Sequence, residues 1–153
     1  MIKVQSVRFG EVEVSEDMII TFSYGLPGFL EERDFAIIPC EEDNPFSFLQ
    51  SLLEPNLTFV VVIPFPFFSN YEFALPDEVK EELSINEENL PHIVNIVNIP
   101  ENPEEMTANL LAPVVINSKT RKAMQVVLEK SAYTTKHRLF PMGFEKQNAE
   151  GAK

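Results

Sequence analysis

The chain has 153 residues, 44% of them hydrophobic, a size that suits one domain with a real core. Against 12 basic residues stand 24 acidic ones, a formal net charge of -12, and a surface of that sign repels a phosphate backbone, which argues against direct nucleic-acid binding. The longest unbroken apolar run, 59–68, falls well short of the ~20 apolar residues of a membrane-spanning helix and is cut by prolines, so no contact with a membrane is expected.

From the N-terminus, Ile2-Lys3-Val4 and Val12-Glu13-Val14 alternate about a turn at Phe9-Gly10, and Met18 to Phe22 adds an apolar run. Together they predict an N-terminal meander. "YGLPGF" at 24–29 sets two glycines around a proline and reads as a tight turn. Phe35 to Pro39 is a short β-type run, and "PFSFLQSL" from Pro45 puts Phe46, Phe48, Gln50 and Leu52 on one strand face. Glu54-Pro55-Asn56 then turns the chain into Leu57 to Ile63, whose β-branched residues on both faces predict a buried central strand.

"PFPFF" at 64–68 cannot continue inside a sheet, because each proline lacks a ladder donor, so it should cross an edge or rim. Pro76 to Leu83 predicts one short helix, with proline near its start, acidic residues in its first turn, and Val79 and Leu83 four apart. "HIVNIVNI" at 92–99 reads as a strand by its β-branching. In 107–128, two apolar arms, Asn109 to Asn117 and Ala123 to Leu128, predict a hairpin joined through Ser118 to Lys122, and so a second meander. Residues 131–139 are β-prone and basic. The domain is expected to span 1–140, with 141–153 a frayed polar tail.

Little in this pattern speaks for catalysis. Cys40 is the lone thiol and has no intramolecular disulfide partner, and no basic-then-apolar leader opens the chain, so a reducing cytoplasm is the expected location. His92 and His137 stand at no zinc-ligand spacing, so no metal and no cofactor are expected. The five glycines are scattered and form no phosphate loop. Carboxylate neighbours such as Glu31-Glu32, Glu41-Glu42 and Glu81-Glu82 sit where turns and helices are exposed, whereas acid-base work needs one carboxyl desolvated in a cleft.

What stands out is polar residues within apolar runs: Gln50, Asn109, Asn117 and Gln125. Their amides are expected to bridge backbone groups at bulges and strand ends rather than to contact a partner. Pro113 marks an edge or bulge. Charge is segregated, with ten acidic residues against Lys80 in 72–105, and six basic residues against Glu129 in 119–138. The aromatic group Phe65, Phe67, Phe68 and Tyr71 reads as core or rim packing. Two of these rings facing outward beside the acidic run would make an apolar and acidic docking surface.

"GLPGF" at 25–29, "PFSFLQS" at 45–51, "TANLLAPVVIN" at 107–117 and "QVVLEKSAYTTKHRL" at 125–139, in this order and spacing, resemble the FliW family of flagellar assembly factors. The resemblance implies a mainly β, small antiparallel β-barrel-like single domain with one or two short helices. It implies a bacterial cytoplasmic protein that is not an enzyme and has two protein partners. These are flagellin and, once flagellin has been exported, the translational repressor CsrA, whose repression of flagellin synthesis it would relieve. The motifs carry no interface, so the partner-binding candidates Phe46, Asn56, Phe67, Tyr71, Glu78, Glu81 and Glu82 rest on surface reasoning alone. A small-molecule-binding β-barrel, which would need a polar-lined pocket, and a hydrolase, which would need a buried His-carboxylate pair, are the rival readings.

Overall fold

The computed structural model describes residues 2–26, 31–40 and 44–143. Strands β1 (Ile2–Ser6) and β2 (Gly10–Val14) form an antiparallel hairpin, with Gly10 at φ +73° where the second strand begins. After them come β3 (Ile19–Phe22), β4 (Asp34–Pro39), β5 (Phe46–Ser51) and β6 (Thr58–Val62), with β3–β4, β4–β5 and β5–β6 paired antiparallel. Helix α1 (Asp77–Leu83) separates β6 from β7 (His92–Asn98), which pairs back onto β6. The two-residue β8 (Thr107–Ala108) adds to the far half of β7, while β9 (Val114–Ile116) adds to the near half. Strand β10 (Lys122–Gln125) folds back on β9 and then lies parallel to β3, matching Lys122 with Thr21 and Ala123 with Phe22. A last short strand, β11 (His137–Arg138), pairs with β8.

The order β3-β4-β5-β6-β7-β9-β10 thus returns to β3 and closes a seven-stranded barrel. Closure removes the exposed edges that would otherwise invite stray pairing. The expected antiparallel character holds with one exception, the parallel β3–β10 seam. Among the described residues α1 is joined by two single-turn 3-10 helices, at Glu16–Met18 and Pro103–Glu105.

Alternation along the strands sorts side chains into two cores. Ile20, Phe22, Phe35, Leu49, Val61, Val94 and Ile116 fill the barrel interior. Val62, Ile93, Val97 and Val115 point outward, yet are buried under Tyr71, Leu139 and the helix residues Val79 and Leu83. This is why β-branched residues occupy both faces where β6 meets β7: Val61 and Val94 are buried inside and Val62 and Val97 outside, and each fully buried side chain contributes ~1.5–3 kcal/mol. A third, smaller cluster forms where Val4 and Val14 of the hairpin cover Ala36 of β4.

Two expectations fail on connectivity. The N-terminal run is no meander, because Ser15 and the 3-10 turn after it carry the chain across the barrel wall, so β2 and β3 never pair. Nor is there a second meander: β10 pairs with β3, and of 131–139 only His137–Arg138 is strand. There Ser131 Oγ donates to Leu128 O at 2.7 Å and Thr134 N–H donates to His137 Nε2 at 2.9 Å, which bends the chain into turns. The hairpin of 107–128 is real but shorter than expected. Asn109 Oδ1 accepts Ala112 N–H at 3.0 Å and breaks the first arm, while Gln125 Nε2 donates to Ala112 O and Val126 N–H to Pro113 O to hold the arms together. In "YGLPGF", Gly25 lies at φ +68° with its N–H on Phe22 O, while residues 27–29, like the Glu41-Glu42 pair, lie outside the described residues.

The four amides act as expected, on backbone. Asn117 is the most connected of them. Its Oδ1 accepts from Lys119 N and Thr120 N, shaping the turn that lets Arg121 sit at φ +63°, and its Nδ2 donates to Leu83 O at 2.6 Å. One buried side chain therefore ties the end of α1 to the turn that delivers β10 to β3. Asn117→Ala leaves that buried carbonyl and both turn amides without their partner, at about 1–3 kcal/mol for each unmet buried group. At ~2–4 °C per kcal/mol for a domain of this size, thermal unfolding should show a clear fall in Tm. Asn109→Ala, which breaks a single half-buried bond, should show a smaller one.

Candidate functional site

The prolines of "PFPFF" set its geometry. Pro64 O accepts from Phe67 N–H and Phe68 N–H, and Phe68 O from Tyr71 N–H, so the segment is a pair of tight turns crossing the rim of the barrel. This leaves Phe65 46% exposed, while Phe67 and Phe68 are half-buried against the outer core. From Tyr71 to Pro76 exposure alternates residue by residue: Tyr71, Phe73 and Leu75 face the protein, and Glu72, Ala74 and Pro76 face solvent. That is the signature of extended chain. Tyr133 clamps its start, accepting from Glu72 N–H at 3.2 Å and donating to Glu72 O at 3.1 Å.

Beyond this segment α1 ends at Ser84, in left-handed conformation, and Ile85 N–H returns to Lys80 O at 2.8 Å. Asn86 Oδ1 then accepts from Glu88 N–H and Asn89 N–H, and this turn pushes Leu90 out to 74% exposure. A groove of ≈ 540 Å³ opens between the extended segment and this loop. Its apolar lining is Phe65, Phe73, Leu75, Ile85, Leu90 and Ile93; Glu72 and Glu87 line it too, with Lys80 as its cation. A second recess of ≈ 470 Å³ on another side of α1 gathers Glu78, Glu81 and Glu82 with Tyr24, Val79 and Met124. A third, of ≈ 480 Å³, adjoins the extended segment beside Val127, Lys130 and Tyr133.

The residues expected to bind partners are scattered over this architecture. Glu78 and Glu81 are exposed and Glu82 half-buried, together on α1. Phe46 and Phe67 meet at the rim, ring centroids 5.8 Å apart, with Phe140 next at 5.6 Å from Phe67. Asn56 is exposed, but its Nδ2 donates to Glu54 Oε1 at 3.0 Å, a bond within its own turn. Phe46 lies at the other end of β5, five residue steps or ~17 Å of strand away. The turn is rigid from beneath, where fully buried Gln50 donates to Ser51 O and Glu54 O.

Tyr71 is a core residue, 4% exposed. Its hydroxyl donates to Leu110 O at 2.7 Å and accepts from Asn95 Nδ2 at 3.3 Å, and burial pushes the phenol up to about 12. The exposed ring of this group is Phe65. Phe65 stood in the aromatic group that the sequence offered as packing or docking surface, but Leu90 and the extended run 72–76 were not singled out, although the alternation in "YEFALP" was there to be read. Core or rim packing was expected of these rings, and two facing outward would have made a docking surface; the groove offers one such ring and an exposed leucine.

The remaining chemistry is sparse. Among the described residues no three His, Cys, Asp or Glu side chains gather as a metal site. His92 is held below the usual histidine range by burial and then by the Arg121 charge. No described helix is long and apolar enough to cross a membrane. Where a ligand-carrying barrel has a polar-lined chamber, this interior is packed with Ile20, Phe22, Phe35 and Leu49, none of which has measurable exposure.

A small closed barrel with a filled interior, and with its recesses on the outer surface around one helix, defines a protein that meets others through its exterior rather than one that encloses a ligand. Residues 3–139 match the profile of the FliW protein family. The chain belongs to the FliW family of flagellar assembly factors. Its relatives include the flagellar assembly factor FliW of Heliobacterium modesticaldum, 48% identical over 139 residues covering 91% of each chain. That of Bacillus subtilis strain 168 is 48% identical over 136 residues, covering 89% of this chain and 93% of the relative. A crystal structure of the flagellar assembly factor FliW superposes with a TM-score of 0.83 at 40% identity, covering 91% of this chain and 97% of the other.

The buried phenol gives a test of the site's foundation. Tyr71 loses its proton at about 12 in the folded chain against about 10 in the unfolded one. Its contribution to stability is therefore complete below pH 10 and lost as pH rises from 10 through 12. Tyr71→Phe should cost about 1–3 kcal/mol at neutral pH, because Leu110 O loses its donor and Asn95 Nδ2 keeps only Asn109 O. It should also flatten the fall in stability between pH 10 and 12, measured by urea unfolding at steps across that range.

Proposed function

We propose that the chain binds newly made flagellin and, when free of it, binds the RNA-binding translational repressor CsrA, relieving repression of flagellin synthesis. The observation that carries this reading is family membership across residues 3–139. The charge map supports it: an RNA-binding repressor displays basic surface for phosphates, and a chain of net charge -12 with carboxylates massed on and around α1 is drawn to such a surface. Both partners are made in the cytoplasm, which is where the chain would act. It would act as a binding protein and not as an enzyme, with 1–140 as the working domain and 141–153 as an appended tail.

Glu78, Glu81 and Glu82 are assigned to the repressor, since exposed carboxylates on one helix attract a cationic partner at a distance. Phe46 and Phe67 are assigned to flagellin, as an apolar rim. Asn56 is left with its turn and, at most, a separate contact.

Association with purified CsrA, followed by stopped-flow or surface methods, should slow as salt rises from low to physiological strength. Glu81→Lys together with Glu82→Lys should slow it about tenfold or more at low salt without changing the fold, since charges of this kind act chiefly on the on-rate. An association rate indifferent to both salt and charge reversal would overturn the electrostatic account. Adding flagellin should release the repressor from the wild-type protein; a stable ternary complex at saturating flagellin would refute their mutual exclusion.

A further inference from the structure

The extended segment at 72–75 has backbone groups whose directions follow from the Tyr133 clamp. In extended chain the N–H and C=O of one residue point to the same side, and those of the next residue to the other. Both groups of Glu72 are bonded to the Tyr133 hydroxyl, which lines the ≈ 480 Å³ recess. Ala74, two residues on, faces that same side. Phe73 and Leu75 therefore direct their N–H and C=O groups the opposite way, toward the ≈ 540 Å³ groove. Among the described residues none donates to or accepts from the backbone of Phe73, Ala74 or Leu75.

The groove thus combines a short row of unpaired donors and acceptors along one wall with an apolar floor and with Leu90 on the opposite wall. Alternate side chains of an added strand would fall on Phe65 and Leu90, and the carboxylates of Glu72 and Glu87 would meet cationic neighbours. Strand addition of this kind takes affinity from main-chain bonds and selectivity from pockets for every second side chain.

We propose that this groove receives an extended segment carrying apolar and cationic side chains from the RNA-binding repressor, which pairs as a strand with the backbone of Phe73 and Leu75. The inference rests on the repressor being a partner, as proposed above. Charge complementarity selects that occupant: the groove lies in the stretch 72–105, which holds ten acidic residues and Lys80.

Residue-resolved hydrogen exchange on the full chain, free and with purified CsrA, tests it. Binding should slow the amides of Phe73 and Leu75 by roughly tenfold or more, while Ala74, facing the other side, exchanges as before. Leu90→Lys, at a position 74% exposed, should leave the fold intact and weaken the complex about tenfold by placing a cation on the groove wall. Failure to form any complex overturns this inference together with the partner reading beneath it. A complex in which Phe73 and Leu75 exchange freely, or in which Leu90→Lys binds like wild type, overturns strand addition alone. Protection by flagellin and not by the repressor overturns the choice of occupant.

Discussion

Where the middle of β7 meets the end of β6 the sheet is buried on both faces, and the rest of the molecule is arranged around that constraint. Val61 looks into the barrel and Val62 looks out, yet both are sealed. A closed barrel can fill its own interior, but it cannot cover its own exterior. The segments between β6 and β7, and after β10, do that work: α1 lays Val79 and Leu83 on the outer face, Tyr71 and Leu139 fill beside them, and "PFPFF" crosses the rim. Because these coverings lack long regular structure, their backbone groups need partners other than a ladder. Buried side chains supply them. Asn117 reaches Leu83 O, Tyr71 reaches Leu110 O, and Asn95 reaches Asn109 O.

The candidate site is a by-product of the same covering. Chain that must lie over an apolar wall without joining its ladder leaves seams between itself and the next covering segment, and the grooves beside 71–76 are such seams. Their character is inherited from both sides. Residues facing the wall are apolar, so the floor is apolar; residues facing solvent in 72–105 are largely acidic, so the rim is acidic. No separate binding module had to be added to the barrel.

Much of the local structure was legible in the sequence because it rests on short-range physics. Period-two alternation gave β1 and β2, β-branching on both faces gave β6 and β7, and proline with early acids gave α1. The amides of Gln50, Asn109, Asn117 and Gln125 behaved as residues that satisfy backbone. What could not be read was pairing over distance. Nothing around Thr21 or Lys122 states that they are neighbours, and a parallel contact of two residue pairs leaves almost no local trace. The same limit misplaced Tyr71, whose hydroxyl is used inside by a carbonyl 39 positions away.

That seam also bears on how the chain comes into being. Its partners are roughly 100 positions apart, and contacts of such separation must wait until most of the chain exists and must overcome the entropy of closing a long loop. At about 5–20 residues per second of synthesis, β3 through β6 spend several seconds as an open sheet on the ribosome, their apolar inner face uncapped, before β10 emerges to complete the ring. The N-terminal hairpin, whose pairing is entirely local, covers one patch of β4 early. The nascent protein is thus itself a passing client for whatever shields apolar surface in the cell, and the last fifth of its length determines when that dependence ends.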